Sequence, residues 1–187
     1  MARRAAGYQF DRIQRGLEPD DWQRPTPCPG WTVLGLCCHL LGDDLGLLSR
    51  QRDGYHGTPS PEGPGEAEFV AWLDDLQAQW VRAARRISPR LVTGLLDWTG
   101  PQVVEMLRRQ DPRARTAKVS WAGTGPVPVW LDQARELSEW WIHRQQLLQA
   151  LGRRSDLRPD RPGRCSTGCA GPTPTALSSA PPGPVTP

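Results

Sequence analysis

Apolar residues recur at intervals of three and four positions in four stretches of this 187-residue chain. Such intervals place the apolar side chains on one face of an α-helix. A weaker pattern over 91–109 predicts shorter helical pieces, broken near Gly100 and Pro101 because proline disrupts a helix interior. A short extended segment is predicted at 117–123. The four long helices are predicted over about residues 5–17, 33–50, 66–87 and 128–151.

Local signals at the ends of these segments support the same assignment. Thr32 is a suitable N-cap for the second helix, and Ser88 followed by Pro89 forms a typical helix start. Gly152 is a suitable stop for the last helix because glycine readily adopts a left-handed conformation. Long helices with ordinary connections predict an all-α fold, an antiparallel four-helix bundle over residues 1–154.

Residues 155–187 differ in composition from the rest of the chain. They are rich in Pro, Gly, Ser and Thr and poor in large apolar residues, so we expect a disordered tail. Cys165 and Cys169 stand four positions apart, but no second ligand pair follows, and a solvated tail is the simpler interpretation. Another reading frame of GC-rich codons for residues 163–176 can encode an apolar-patterned segment, so a frameshift is one hypothesis for this tail.

Composition and charge exclude several kinds of partner. The net charge of +3 is too small to indicate nucleic-acid binding. The N-terminus lacks the apolar core of a signal peptide, and no stretch has the length of a membrane span. The five cysteines are an odd number and include the adjacent Cys37 and Cys38, which suits reduced thiols in a cytoplasm. We expect those two and Cys28 to be structural.

Glu139, His143 and His39 are the candidate chemical residues. Glu139 and His143 are one helical turn apart, and His39 lies on another predicted helix about a hundred residues upstream. Two imidazoles and one carboxylate can hold a catalytic divalent metal that keeps an open coordination position. However, an apolar arc that includes Trp130 and Trp141 lies on the opposite side of the same helix. A solvated ion pair on the helix surface is therefore the alternative interpretation of Glu139 and His143.

The surroundings of His39 also leave alternatives open. Gly35, Gly42 and Gly46 share a strip of its helix, which indicates either tight helix packing or a cleft that admits a ligand. Asp43, one turn after His39, could orient the imidazole, act as an additional ligand, or be an ordinary acid. His56 lies in a Gly/Pro-rich loop and is predicted to be exposed, with no ligand role.

Two motifs resemble those of the mycothiol-dependent maleylpyruvate isomerase family, within the wider group of DinB-like metal-binding bundles. The first is DDWQRPTPCPGWTVLGLCCHLLG, which contains His39, and the second is SEWWIHRQQLLQALGRR, which contains Glu139 and His143. The resemblance covers about residues 5–155. It implies a four-helix bundle in which His39, Glu139 and His143 hold one divalent metal, most often zinc. The open position would take the thiol of mycothiol, a low-molecular-weight thiol of actinobacteria.

The resemblance also implies a reaction. A metal-bound thiol is deprotonated at neutral pH and can add to an activated cis double bond, permit rotation and leave again. The implied activity is that of an isomerase or S-transferase acting on a small, maleylpyruvate-like electrophile. Gln146 stands where the family often has an acidic residue, which puts any role of that acid in doubt.

A non-catalytic metal-binding bundle, or a decayed enzyme that serves as an interaction module, is the competing interpretation. Either protein would be a monomer or homodimer, and Trp140 is expected to be exposed and to mark a partner surface.

Overall fold

The computed structural model describes residues 16–57, 66–118 and 126–153, all within one unit of the chain, Met1–Asp156. The helix predicted over 5–17 lies almost entirely outside these residues. The tail from 155 to 187, with Cys165 and Cys169, and the end of the segment predicted at 117–123 also lie outside them.

Four long helices account for most of the described chain, which confirms the all-α bundle. A short 3-10 helix, Pro19–Gln23, precedes them, and a π-helical turn, Leu48–Arg52, extends the first. Two short strands, β1 (Arg115–Lys118) and β2 (Pro126–Pro128), pair antiparallel before the last helix. The long helices are α1 (Val33–Leu47), α2 (Glu66–Ala84), α3 (Pro89–Arg109) and α4 (Val129–Ala150).

The helix ends predicted at Thr32, Ser88 and Gly152 are confirmed. The Thr32 hydroxyl accepts the Gly35 amide at 3.3 Å, and Ser88 accepts the Leu91 amide at 3.4 Å directly before Pro89. Gly152 follows α4 with φ of +63°, a left-handed conformation that favours glycine. These ends follow from local chemistry, which is why the sequence alone predicts them.

The predicted break at Gly100 and Pro101 is wrong, because α3 continues through both residues. Pro101 lies on the exposed side of the helix, where a proline lowers helix stability by about 3 kcal/mol. Just beyond it, Val103, Met106 and Leu107 are buried. Each such side chain contributes about 1.5–3 kcal/mol, so their burial outweighs the proline.

Helix α1 is the centre of the described core. It contacts each of the other three long helices, and apolar residues are buried around most of its circumference, as expected of an enclosed helix. Its buried set includes Cys37 and Cys38, and burial raises the pKa of the Cys38 thiol to about 11. Neither these two cysteines nor Cys28 forms a disulfide bond. Because α1 is packed on most sides by the other helices, the surrounding core fixes the position of His39.

The glycine strip of α1 serves helix packing. The indole of Trp80 on α2 lies against Gly42 and donates from Nε1 to the Cys38 carbonyl at 2.7 Å. A Cβ atom added at Gly42 would lie 2.5 Å from Trp80 Cδ1, which is too close for any real contact. At Gly35 the neighbours are Trp31 and Val81, at ordinary packing distances. Of the two alternatives for the strip, the structure favours close packing.

No helix among the described residues combines the length and apolar character that a bilayer crossing needs.

Candidate metal centre

Helices α1 and α4 bring the three predicted ligands together. The Nε2 atoms of His39 and His143 face each other at 3.1 Å. Glu139 Oε2 lies 3.3 Å from His143 Nε2, as their one-turn spacing on α4 allows. One ligand atom from each of the three residues lies within 4.8 Å of the others. The residues that the two sequence motifs single out thus form one cluster in space.

His143 on α4 faces inward, and Glu139, one turn before it, lies at the edge of the buried region with 40% of its side chain exposed. His39 and His143 are each 8% exposed, whereas Trp130 and Trp141 on the opposite arc are 50% and 46% exposed. The interpretation of His143 as a solvated surface residue is therefore wrong. Periodicity predicted that the large apolar arc of α4 would face the core and that the polar side would face solvent. The buried residues of α4 nevertheless include four polar side chains: Asp132, Glu136, His143 and Arg144.

Trp140 corrects a second expectation, since it is only 8% exposed and contributes to the core with Leu36 and Leu147. It is therefore not the predicted surface marker. His56 is exposed, as predicted.

Two of the three ligand-atom separations in the cluster fit a shared metal ion, while the third, between His39 and Glu139, is bounded only by the 4.8 Å that encloses the set. Two ligand atoms bound at about 2.0–2.1 Å to one tetrahedral zinc ion lie about 3.3 Å apart. The observed separations of 3.1 Å between the imidazoles and 3.3 Å between His143 and Glu139 are close to that value. The donor set of two nitrogens and one carboxylate oxygen also suits zinc or a similar divalent ion.

The charges of the cluster point in the same direction. Burial and the charge of His143 lower the pKa of His39 to about 4. Burial also acts to lower the pKa of His143, but the nearby Cys28 thiol and hydrogen bonds with Glu139 and Gln146 outweigh it and raise that pKa to about 10. A hydrogen bond with His143 holds the pKa of Glu139 below its usual value. His39 is therefore neutral and His143 protonated, so the two imidazoles together carry one positive charge, which a bound cation could replace.

Gln146 fixes the orientation of His143. Its Oε1 lies 2.7 Å from His143 Nδ1 and, as a carbonyl oxygen, can only accept a hydrogen bond. Nδ1 therefore carries a hydrogen, and Nε2 is directed toward Glu139 and His39. Ligand histidines usually donate their second N–H to such an acceptor. Gln146 thus supplies an uncharged oxygen that orients His143.

Cys28 and Trp31 are site residues that the sequence reasoning missed. The half-buried Cys28 thiol lies 3.1 Å from Gln146 Oε1. The Trp31 indole lies against His39, with ring centroids 4.8 Å apart. Both belong to the PTPCPGW segment, and its Pro-Gly turn was the available signal that this loop has a defined shape.

Asp43 lies at the edge of the cluster. Its Oδ2 is 3.2 Å from His39 Nε2, and its Oδ1 accepts from Gln77 at 2.7 Å. Burial raises the pKa of Asp43 to about 6. A carboxylate that orients a ligand histidine contacts the nitrogen that does not face the metal. Asp43 contacts Nε2 but does not belong to the group of converging ligand atoms formed by His39, Glu139 and His143, so its role stays a prediction.

Comparisons with known proteins place this site in context. The family model described as the mycothiol maleylpyruvate isomerase N-terminal domain matches residues 3–148. A crystal structure of a mycothiol-dependent maleylpyruvate isomerase is similar, with a TM-score of 0.57 and 14% sequence identity. A crystal structure of a histidine-to-alanine mutant of such an enzyme is similar as well, with a TM-score of 0.54 and 15% identity.

Both structural matches cover 78% of this chain but only 57% of the other chain. This chain therefore spans a little over half the length of those proteins, and at such low identity the similarity shows the fold alone. The curated proteins contain no match to the sequence.

Proposed function

Because this chain belongs to the mycothiol maleylpyruvate isomerase N-terminal domain family, we propose that it is a metal-dependent enzyme that uses mycothiol to transform an electrophilic small molecule. The observation that carries this proposal is the convergence of two buried histidines, His39 and His143, and the half-exposed Glu139 between α1 and α4. We propose zinc as the metal because nitrogen and carboxylate ligands at these separations suit it.

Each residue of the cluster has a distinct part in holding the ion. His39 and His143 would bind through Nε2, and Glu139 would supply an anionic oxygen because its pKa is held low by the hydrogen bond with His143. Gln146 keeps the His143 ring in the binding orientation through Nδ1. Three protein ligands leave a coordination position free, which is the arrangement of catalytic rather than structural zinc sites.

The bound ion would act as a Lewis acid and keep a thiol deprotonated at neutral pH. The proposed reaction is addition of the thiol sulfur to the cis double bond of a maleylpyruvate-like molecule. Rotation about the new single bond and departure of the thiol then give the trans isomer and regenerate the thiol. An S-transferase would share the addition step but retain the carbon–sulfur bond. We propose a cytoplasmic location, where such a thiol is kept reduced.

Isomerisation of maleylpyruvate, followed by absorbance, tests this function. Zinc-loaded protein with mycothiol should accelerate the reaction, and omission of the thiol should abolish the acceleration. Glu139→Gln should reduce turnover strongly, whereas His56→Gln, which alters an exposed loop histidine, should leave it unchanged. Formation of a stable thiol adduct would indicate a transferase. Metal binding without either product would overturn the enzymatic function and favour a non-catalytic metal-binding bundle.

A further inference from the structure

The PTPCPGW segment, residues 25–31, forms a loop with a fixed shape. The Thr26 hydroxyl donates to the Trp31 carbonyl at 2.9 Å and accepts the Cys28 amide at 3.2 Å. The Trp31 amide donates to the Cys28 carbonyl at 3.1 Å, and Gly30 between them has φ of +76°. Proline second and glycine third in a four-residue turn with this hydrogen bond are the features of a type II turn. Cys28 is therefore placed by its own backbone.

The loop places Cys28 against α4. Its Sγ atom lies 3.1 Å from Oε1 of Gln146, a residue 118 positions later in the sequence. The same oxygen lies 2.7 Å from His143 Nδ1. Because Oε1 is an acceptor with two lone pairs, both the thiol and the imidazole must donate to it. The thiol, the amide and the imidazole thus form a short chain of hydrogen bonds that ends at a ligand histidine.

The orientation of the Gln146 amide is the least constrained part of this series of hydrogen bonds. A glutamine side chain has nearly the same shape in both orientations of its amide group, so its hydrogen-bond partners decide which atom faces His143. If the NH₂ group faced the ring, Nδ1 would have to accept and Nε2 would carry the hydrogen, which blocks metal binding through Nε2. A carboxylate at this position would be an acceptor in either orientation. Glutamine therefore needs a second donor that selects the carbonyl oxygen.

We propose that Cys28 is a positioning residue that supplies this donor, and that it thereby directs Nε2 of His143 toward the metal site proposed above, on which this inference rests. The thiol acts through Gln146 and does not itself bind the ion. The glutamine at position 146 and the cysteine in the upstream loop then act together to orient the imidazole of His143.

The inference can be tested in the metal-free protein by NMR. With ¹⁵N-labelled histidine, only three residues contribute signals, and His143→Ala assigns the resonance of interest. A downfield Nδ1–H signal of His143, protected from solvent exchange, should be visible in the wild type. It should broaden or vanish in Cys28→Ala and return in Cys28→Ser, because serine restores a donor. Gln146→Leu removes the acceptor and should eliminate the signal.

Zinc affinity, measured by competition with a chromophoric chelator, provides the second readout. Gln146→Leu should weaken binding by about 10- to 100-fold, as is typical when the partner of a ligand histidine is removed. Cys28→Ala acts one step further away and should weaken it by about 3- to 10-fold, with recovery in Cys28→Ser.

The inference is overturned if Cys28→Ala retains the protected signal, or if Cys28→Ser fails to restore it although both variants fold as judged by circular dichroism. Failure of the wild type to bind zinc would instead contradict the proposed function. The signal of the metal-free protein would still decide the role of Cys28.

Discussion

Gly42→Ala tests the packing that positions His39. Gly42 lies on α1 between His39 and Asp43, and a Cβ atom there would lie 2.5 Å from Trp80 Cδ1. Trp80 cannot move away freely, because its Nε1 donates to the Cys38 carbonyl at 2.7 Å. The added methyl group must therefore either displace the indole and break this hydrogen bond or push α1 and α2 apart.

The size of the effect follows from three contributions. Overpacking destabilises by about 1–3 kcal/mol, and the lost hydrogen bond by about 0.5–1.5 kcal/mol. Alanine offsets about 1 kcal/mol of this through its higher helix propensity. We therefore expect Gly42→Ala to lower the free energy of unfolding by about 0.5–3.5 kcal/mol.

Urea unfolding of the metal-free protein, followed by circular dichroism, measures the difference. Gly94→Ala is the matched control, because Gly94 is an exposed residue of α3 with no atom within 4 Å of an added Cβ. That variant should be more stable than the wild type by up to about 1 kcal/mol. If Gly42→Ala is equally stabilising, the close contact between α1 and α2 does not exist and the argument about the glycine strip is refuted.

Two further predictions concern the proton of the cluster and a buried hydrogen bond. Burial acts to lower the pKa of His143, but hydrogen bonds outweigh it and raise that pKa to about 10, so zinc must displace a proton from His143. His39 is already neutral, because its pKa is lowered to about 4. Apparent zinc affinity should therefore fall about tenfold per unit as pH falls from about 8 to about 6, and a flat profile in chelator competition would contradict this. Thr99→Val removes the hydroxyl that donates to the fully buried Asp44 at 2.7 Å, and should lower stability in urea by about 1–3 kcal/mol. Thr93→Val, on the same helix but partly buried, should change it by less, and equal losses would contradict the importance of the buried pair.

Features of the fold that depend on neighbouring residues in sequence were predictable. Thr32, Ser88 and Gly152 fix helix ends through side chains or backbone conformations that act within one turn. The helix break predicted at Pro101 was wrong because it depends on contacts between helices rather than on neighbouring residues. Its local effect is outweighed by the burial of residues that contact other helices, and a single-helix pattern does not contain that information.

The site was only partly accessible from the sequence. The spacing of Glu139 and His143 places them on one face, but their burial depends on what α1 supplies opposite them. Residue types made His39 a candidate third ligand, but periodicity alone favoured a solvated pair, and it was the family resemblance that favoured the metal site. The contact between Cys28 and Gln146 was not predicted because it spans 118 positions and is created by a loop.

The most direct test of the account is the metal content of the purified protein after incubation with zinc and removal of excess ion. Wild-type protein and the loop variant His56→Ala should each retain about one equivalent of zinc, whereas His143→Ala should retain none. Absence of bound metal from folded wild-type protein, or full retention by His143→Ala, would contradict the claim that His39, Glu139 and His143 form a metal site.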